Sequence, residues 1–89
     1  MTQIAFDPGF FDDLEQFDLA SKQNEILDTI ELLLAIPELG STRLPASIVR
    51  EFGSNVRKLV IHPFLVIYEF LDDGQIIYVH GLIHSRKAK

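Results

Sequence analysis

The stretch NVRKLVIHPFLVIYEFLDDGQIIYVHGLIH, residues 55–84, decides the fold. Asn55 to His62, Phe64 to Leu71 and Gln75 to His84 are runs rich in Val, Ile, Tyr and Phe, side chains that suit the pleated, half-buried surface of a sheet. Asp72-Asp73-Gly74 is a hairpin signal between the last two runs. His62-Pro63 marks the other bend, because proline cannot donate to a central ladder. The three runs predict an antiparallel β-meander. Ile48 to Phe52 is read as a further strand ended by Gly53-Ser54, giving three to four strands in all.

Working outward toward the start, the period changes. Residues 37–47, with Pro37, Gly40, Ser41, Pro45 and Ser47, read as the longest irregular connection. Before them Ile26, Leu27, Ile30, Leu33 and Leu34 recur at helical spacing until Pro37 and Gly40 stop the pattern, with Asp18 or Ser21 as the cap. Leu32, Ile36 and Leu39 widen that apolar stripe beyond what one sheet contact needs, so a partner is expected along one edge. An earlier helix runs from Pro8 to about Phe17. Asp7 stands at its N-cap, proline takes the first helical position, and Phe10, Phe11, Leu14 and Phe17 form a stripe that core packing accounts for. Thr2 to Phe6 is a short β-like opening. The expected architecture is α+β: an N-terminal strand, a helical hairpin, then the meander with helices packed on one face.

Eighty-nine residues, 47% of them apolar, make one packed domain over residues 1–89. Without cysteine there is no disulfide framework, no thiolate nucleophile and no sulfur-bound metal. The apolar runs are too short for a membrane span and the first residues lack the layout of a secretion signal, so a cytoplasmic protein is expected. The net charge of −5 is unevenly spread: residues 1–42 hold nine acids against Lys22 alone, a net −8, and residues 43–89 come to +3. Any nucleic acid must therefore meet the C-terminal half.

No phosphate-cradling glycine loop, no His-Glu-x-x-His pair and no set nucleophile occurs, and no cofactor is implied. The polar groups carried by the strands are Arg57, His62, Tyr68, His80, His84 and Arg86. Regular alternation places Ile76, Tyr78, His80, Leu82 and His84 on one side of the last strand and Ile77, Val79 and Ile83 on the other. His80 and His84 would then share a face about 13 Å apart, too far to hold one metal ion, so no metal site is expected.

The run from Val56 to Phe70, an Arg-bearing strand, a short turn and an aliphatic strand ending in Tyr68, resembles the signature of the RelE/ParE toxin superfamily. The closing Val79 to Lys87, with His84 followed by Arg86 and Lys87, resembles that family's final strand. The His-Pro turn and His84-Ser85-Arg86-Lys87 are closer to ParE-like members than to those that cleave mRNA on the ribosome. RNA-cleaving members commonly carry an Arg in the strand before the tyrosine, where this chain has Phe64-Leu65-Val66. Leu65 cannot stabilise charge developing on a phosphate.

The resemblance implies the toxin of a type II toxin–antitoxin system, bound in a hetero-oligomer by a cognate antitoxin and acting by inhibiting DNA gyrase. Arg57, Tyr68, His84, Arg86, Lys87, Leu32 and Ile36 are the implied contacts to target or antitoxin. The alternative is a ribosome-dependent mRNA endonuclease in which Arg57 holds the phosphate, His84 is general acid or base, and Arg86 or Lys87 stabilises the leaving charge. A third reading is a toxin fold that has lost its activity and only binds antitoxin.

Overall fold

The structure is a computed structural model that describes residues 2–17 and 20–88. Its elements run β1 (Gln3–Phe6), α1 (Pro8–Gln16), α2 (Ala20–Glu31), two 3-10 turns (Leu32–Leu34 and Pro37–Leu39), α3 (Ala46–Phe52), β2 (Val56–Ile61), β3 (Phe64–Leu71), β4 (Ile76–His84) and a last 3-10 turn (Ser85–Lys87). The α+β class, the opening strand and the meander stand as expected. β2 and β3 pair antiparallel, as do β3 and β4, while β1 pairs parallel to β4, so the sheet is mixed with order β1-β4-β3-β2.

Local chemistry sets the element boundaries. The Asp7 carboxylate accepts the Gly9 N–H at 2.9 Å and so caps α1, with Pro8 at the first helical position where its missing N–H costs nothing. Asp18, one of the two expected caps of α2, lies outside the described residues; Ser21, the other, is the second residue of the helix rather than the residue before it. The β3–β4 connection turns through Asp72 and Asp73, both at φ 53°, and then Gly74 at φ 84°. Its first bond runs from the Gly74 N–H to the Leu71 carbonyl at 3.1 Å. Two consecutive left-handed residues match the twist of the strands they join, which is why short acidic residues and glycine stand there. The His62-Pro63 bend has a cis peptide bond.

One segment departs from expectation. Ile48 to Phe52 is not a strand: it forms the body of α3. Its β-branched residues suggested extension, yet Ile48 and Phe52 stand four apart, the spacing that brings two side chains to one helical face. Both pack on Val56, Leu65 and Ile67. Gly53 at φ 89° ends the helix, donating its N–H to the Val49 carbonyl at 2.8 Å.

The helical hairpin of α1 and α2 lies on one face of the sheet, as expected, where Phe10, Leu14, Ile26, Ile30 and Leu33 meet Leu59, Phe64, Val66, Tyr68, Ile77, Val79 and Leu82. Burial of each such side chain contributes about 1.5–3 kcal/mol. α3 covers the opposite face, so the middle strand β3 is buried on both sides.

Alternation along β4 also departs from expectation. A register shift opposite Ile67/Tyr68 inserts His80 as an extra residue, since Val79 pairs with Tyr68 and Gly81 with Ile67. Beyond this bulge the phase is reversed. Leu82 joins Ile77 and Val79 in the α1/α2 core, whereas Ile83 joins the α3 core. His80 faces the Phe52 ring of α3, and His84 sits edge-on to Phe64 on the other face. The two histidines do not share a face.

Candidate functional site

Arg57 and Tyr68 are cross-strand neighbours on the α1/α2 face. Tyr68 is fully buried. Its hydroxyl donates to the Pro37 carbonyl and accepts the Gly40 N–H, each at 2.8 Å, so it staples the loop after α2 onto the sheet. Burial raises the Tyr68 pKa, with the Gly40 N–H and the Arg57 charge opposing it. Arg57, half-buried, lies over the Phe70 ring with 5.4 Å to the centroid and donates to the Gly40 carbonyl at 3.0 Å. The loop is also tied to β2 by two backbone bonds between Ser41 and Lys58. Gly40 is required for closeness: a Cβ there would fall 2.6 Å from the Tyr68 hydroxyl.

His84 lies at the other end of the sheet. Arg57 stands in the row Arg57–Tyr68–Val79 and His84 in the row Ile61–Phe64–His84. Four residues along the strand and two strands across amount to about 13 Å and about 10 Å, or roughly 16 Å between the two positions. His84 Nδ1 accepts the Arg86 N–H at 3.1 Å, which assigns the ring proton to Nε2 when the ring is neutral. Arg86 and Lys87, both exposed, occupy the last turn.

His84 and Lys87 line a cleft of about 230 Å3 between α1, α3 and the end of β4, together with Asp13, Gln16, Ser47 and Glu51 over a floor of Phe17, Ile48, Leu82 and Ile83. β1 covers only Ile76–Val79, and alongside the rest of β4 the Asp13 carboxylate accepts the Leu82 N–H at 3.2 Å. Asp13 and Glu51 carry no signal in the sequence that links them to His84, because they sit on separate helices far apart in the chain. The one hint is Gly81, where a Cβ would stand 3.2 Å from the Asp13 carboxylate.

Two further polar links brace the α3 face of β4. His80 Nε2 meets the Glu69 carboxylate at 2.5 Å beside the rings of Phe52 and Tyr78. The Tyr78 hydroxyl donates to Asp7 at 2.7 Å. That bond, followed by the Gly9 N–H, holds the Asp7 carboxyl below its ordinary value, and the same bond raises Tyr78. Among the described residues no group of His, Asp and Glu is placed to hold a metal ion.

Leu32 and Ile36, the remaining expected contacts, are exposed, together with Leu27, Leu34 and Leu39. A shallow groove of about 390 Å3 runs between Asp28, Glu31, Leu32, Leu34 and Ala35. The seven expected contact residues thus divide into a buried staple (Tyr68, with Arg57 at its rim), a C-terminal end (His84, Arg86, Lys87) and an apolar shoulder (Leu32, Ile36). No helix among the described residues is long and apolar enough to cross a membrane.

Comparison with known proteins agrees with this fold. The crystal structure of YafQ from E. coli strain BL21(DE3) superposes with a TM-score of 0.52 at 14% identity, covering 98% of this chain and 97% of that one, a likeness of fold. A search of curated protein sequences finds no match. Residues 4–88 match the model of a family described as the ParE toxin of type II toxin–antitoxin system, parDE. Since that match takes in both cores, the Tyr68 staple and the C-terminal turn, the chain belongs to the ParE toxin family, and a cognate antitoxin is its implied partner.

Proposed function

We propose that the chain is a cytoplasmic growth inhibitor that binds DNA gyrase, does not cleave mRNA, and is silenced in a hetero-oligomer with its antitoxin. The observation that carries this reading is the distance between Arg57 and His84. A general acid or base must act within hydrogen-bond reach of the group whose charge a cation stabilises. Here the two lie at opposite ends of the sheet, roughly 16 Å apart, and the guanidinium is engaged by the Gly40 carbonyl and the Phe70 ring. Leu65 is buried among apolar side chains and supplies no charge. The net charge of −5 forfeits electrostatic attraction to ribosomal RNA. What the C-terminal end offers instead is an exposed pair of cations, Arg86 and Lys87, beside a partly open cleft.

The test is expression of the chain without antitoxin, followed by assays on purified protein. Growth arrest with DNA-damage signalling, inhibited supercoiling and intact mRNA is the expected result. Cleavage of ribosome-bound mRNA with supercoiling untouched would replace this reading by the endonuclease. Arg86→Ala should weaken target affinity by about 1–3 kcal/mol. His84→Gln should leave growth arrest intact, whereas a general acid or base would lose about 10²–10⁴ in rate on the same change.

A further inference from the structure

We propose that the apolar shoulder formed by the end of α2 and the two 3-10 turns is the seat of an amphipathic helix whose flanks carry Lys and Arg. This rests on the antitoxin reading above and adds the charge of the segment that docks there. Ile26, Ile30 and Leu33 point into the core, while Leu27, Leu32, Leu34, Ile36 and Leu39 are left at the surface within one short stretch of chain. Scattered exposed leucines need no explanation, but here Leu32 and Leu34 line a groove and the others lie close to them in the chain, a clustering that marks a binding surface. The groove is open and lies along the end of a helix, a setting in which an amphipathic helix lays down side chains at i, i+3, i+4 and i+7.

The rim of the groove decides the occupant. Asp28 and Glu31 line it directly and Glu38 follows in the next turn. Among the described residues none of these three carboxylates forms an ion pair; the nearby Lys22 is taken by Glu25 at 2.6 Å. A second copy of this chain, meeting itself about a two-fold axis, would set Asp28 and Glu31 near their own equivalents and add like charges across a self-complementary contact. An anionic lipid surface would be repelled in the same way. A basic amphipathic helix satisfies both halves of the surface. Its antitoxin would then be bipolar in charge, basic over α2 and acidic where it reaches Arg86 and Lys87.

The test uses the full chain and two labelled synthetic helical peptides of about 20 residues, long enough to hold helical structure. Both carry one leucine stripe; one is flanked by Lys and Arg, the other by Glu. Fluorescence anisotropy should show the basic peptide binding about tenfold or more tightly than the acidic one, with the gap closing at high salt. Asp28→Lys with Glu31→Lys should invert the preference, and Leu32→Ser should weaken the basic peptide about tenfold. These positions are exposed, so circular dichroism should be unchanged. No binding of the basic peptide, equal binding of both, or a preference that survives the charge reversal overturns the inference. So does wild-type dimerisation, or wild-type co-sedimentation with phosphatidylserine vesicles, that Leu32→Ser abolishes. If the antitoxin co-purifies equally with the charge-reversed chain, the docking inference fails while the toxin reading stands. Absence of both growth arrest and a captured antitoxin removes the toxin reading, whatever the peptides do.

Discussion

Replacing Gly40 by alanine drives a methyl carbon to 2.6 Å from the Tyr68 hydroxyl, 2.7 Å from Tyr68 Cε1 and 2.9 Å from the Lys58 carbonyl oxygen. The backbone itself raises no objection, since φ −76° and ψ 158° suit any residue. The cost is therefore one of space. Overpacking of this kind costs about 1–3 kcal/mol, and if the ring retreats to make room, its two hydrogen bonds to the loop add about 1 kcal/mol each. A loss of about 1–5 kcal/mol follows, the upper end applying if both bonds are lost, from a total stability of about 4–13 kcal/mol for a domain of this length. Tyr68→Phe alone should cost about 1–3 kcal/mol, because it strands the buried Gly40 N–H. In the double variant the hydroxyl is gone, so the worst contact vanishes while Cε1 and the Lys58 oxygen remain. Its cost should fall short of the sum of the single costs by about 1 kcal/mol or more. Urea unfolding followed by far-UV circular dichroism reads all three, a suitable probe for a chain without tryptophan. A Gly40→Ala loss below about 0.5 kcal/mol, or costs that simply add, would refute the staple.

Arg57→Ala should cost about 1–2 kcal/mol in the same assay, and Arg57→Lys should recover less than half, since an ammonium neither stacks on Phe70 as a plane nor spans to the Gly40 carbonyl in the same fork geometry. Acid unfolding should depend on Asp7: its folded pKa is depressed below 3.8, so its contribution is present above that value and is lost as pH falls through the folded pKa. Asp7→Asn should flatten the acid limb of the stability curve while keeping the cap, and an unchanged limb would remove Asp7 from that role. In the β3–β4 turn, Asp73→Gly should raise stability by up to about 1 kcal/mol by relieving a left-handed residue; a loss would mean that its side chain supports the turn.

The meander was legible because β-branched runs and Asp72-Asp73-Gly74 are local signals, and the helical hairpin because apolar periodicity is local too. What was not legible depends on residues that meet only after folding. The segment from Ile48 to Phe52 carries residues that favour strands, and a second sheet face needing cover overrides that propensity. The His80 bulge reverses the alternation of β4, and Gly81 beside it is the only local trace. Arg57 and Tyr68 stood out as polar groups on apolar strands, but their engagement with Gly40 and Pro37 spans 17 and 31 residues of sequence, and glycine after proline read simply as the end of a helix. Arg86 and Lys87 stood out as basic residues after the last strand, yet nothing local announced that Asp13 and Glu51 would line one cleft with His84.

The parallel pairing of β1 with β4 joins the earliest described strand to the last one. On the ribosome, residues 3–6 emerge long before residues 76–79, so the sheet edge cannot close until almost the whole domain has left the exit tunnel. Until then α1 lacks the strand that seats it, because Asp13 docks on Leu82 and Phe10 packs on a core that includes Val79. Closure of this sheet edge is thus tied to the emergence of β4. A nascent chain halted within the meander lacks both the strand that β1 pairs with and the edge on which α1 is seated.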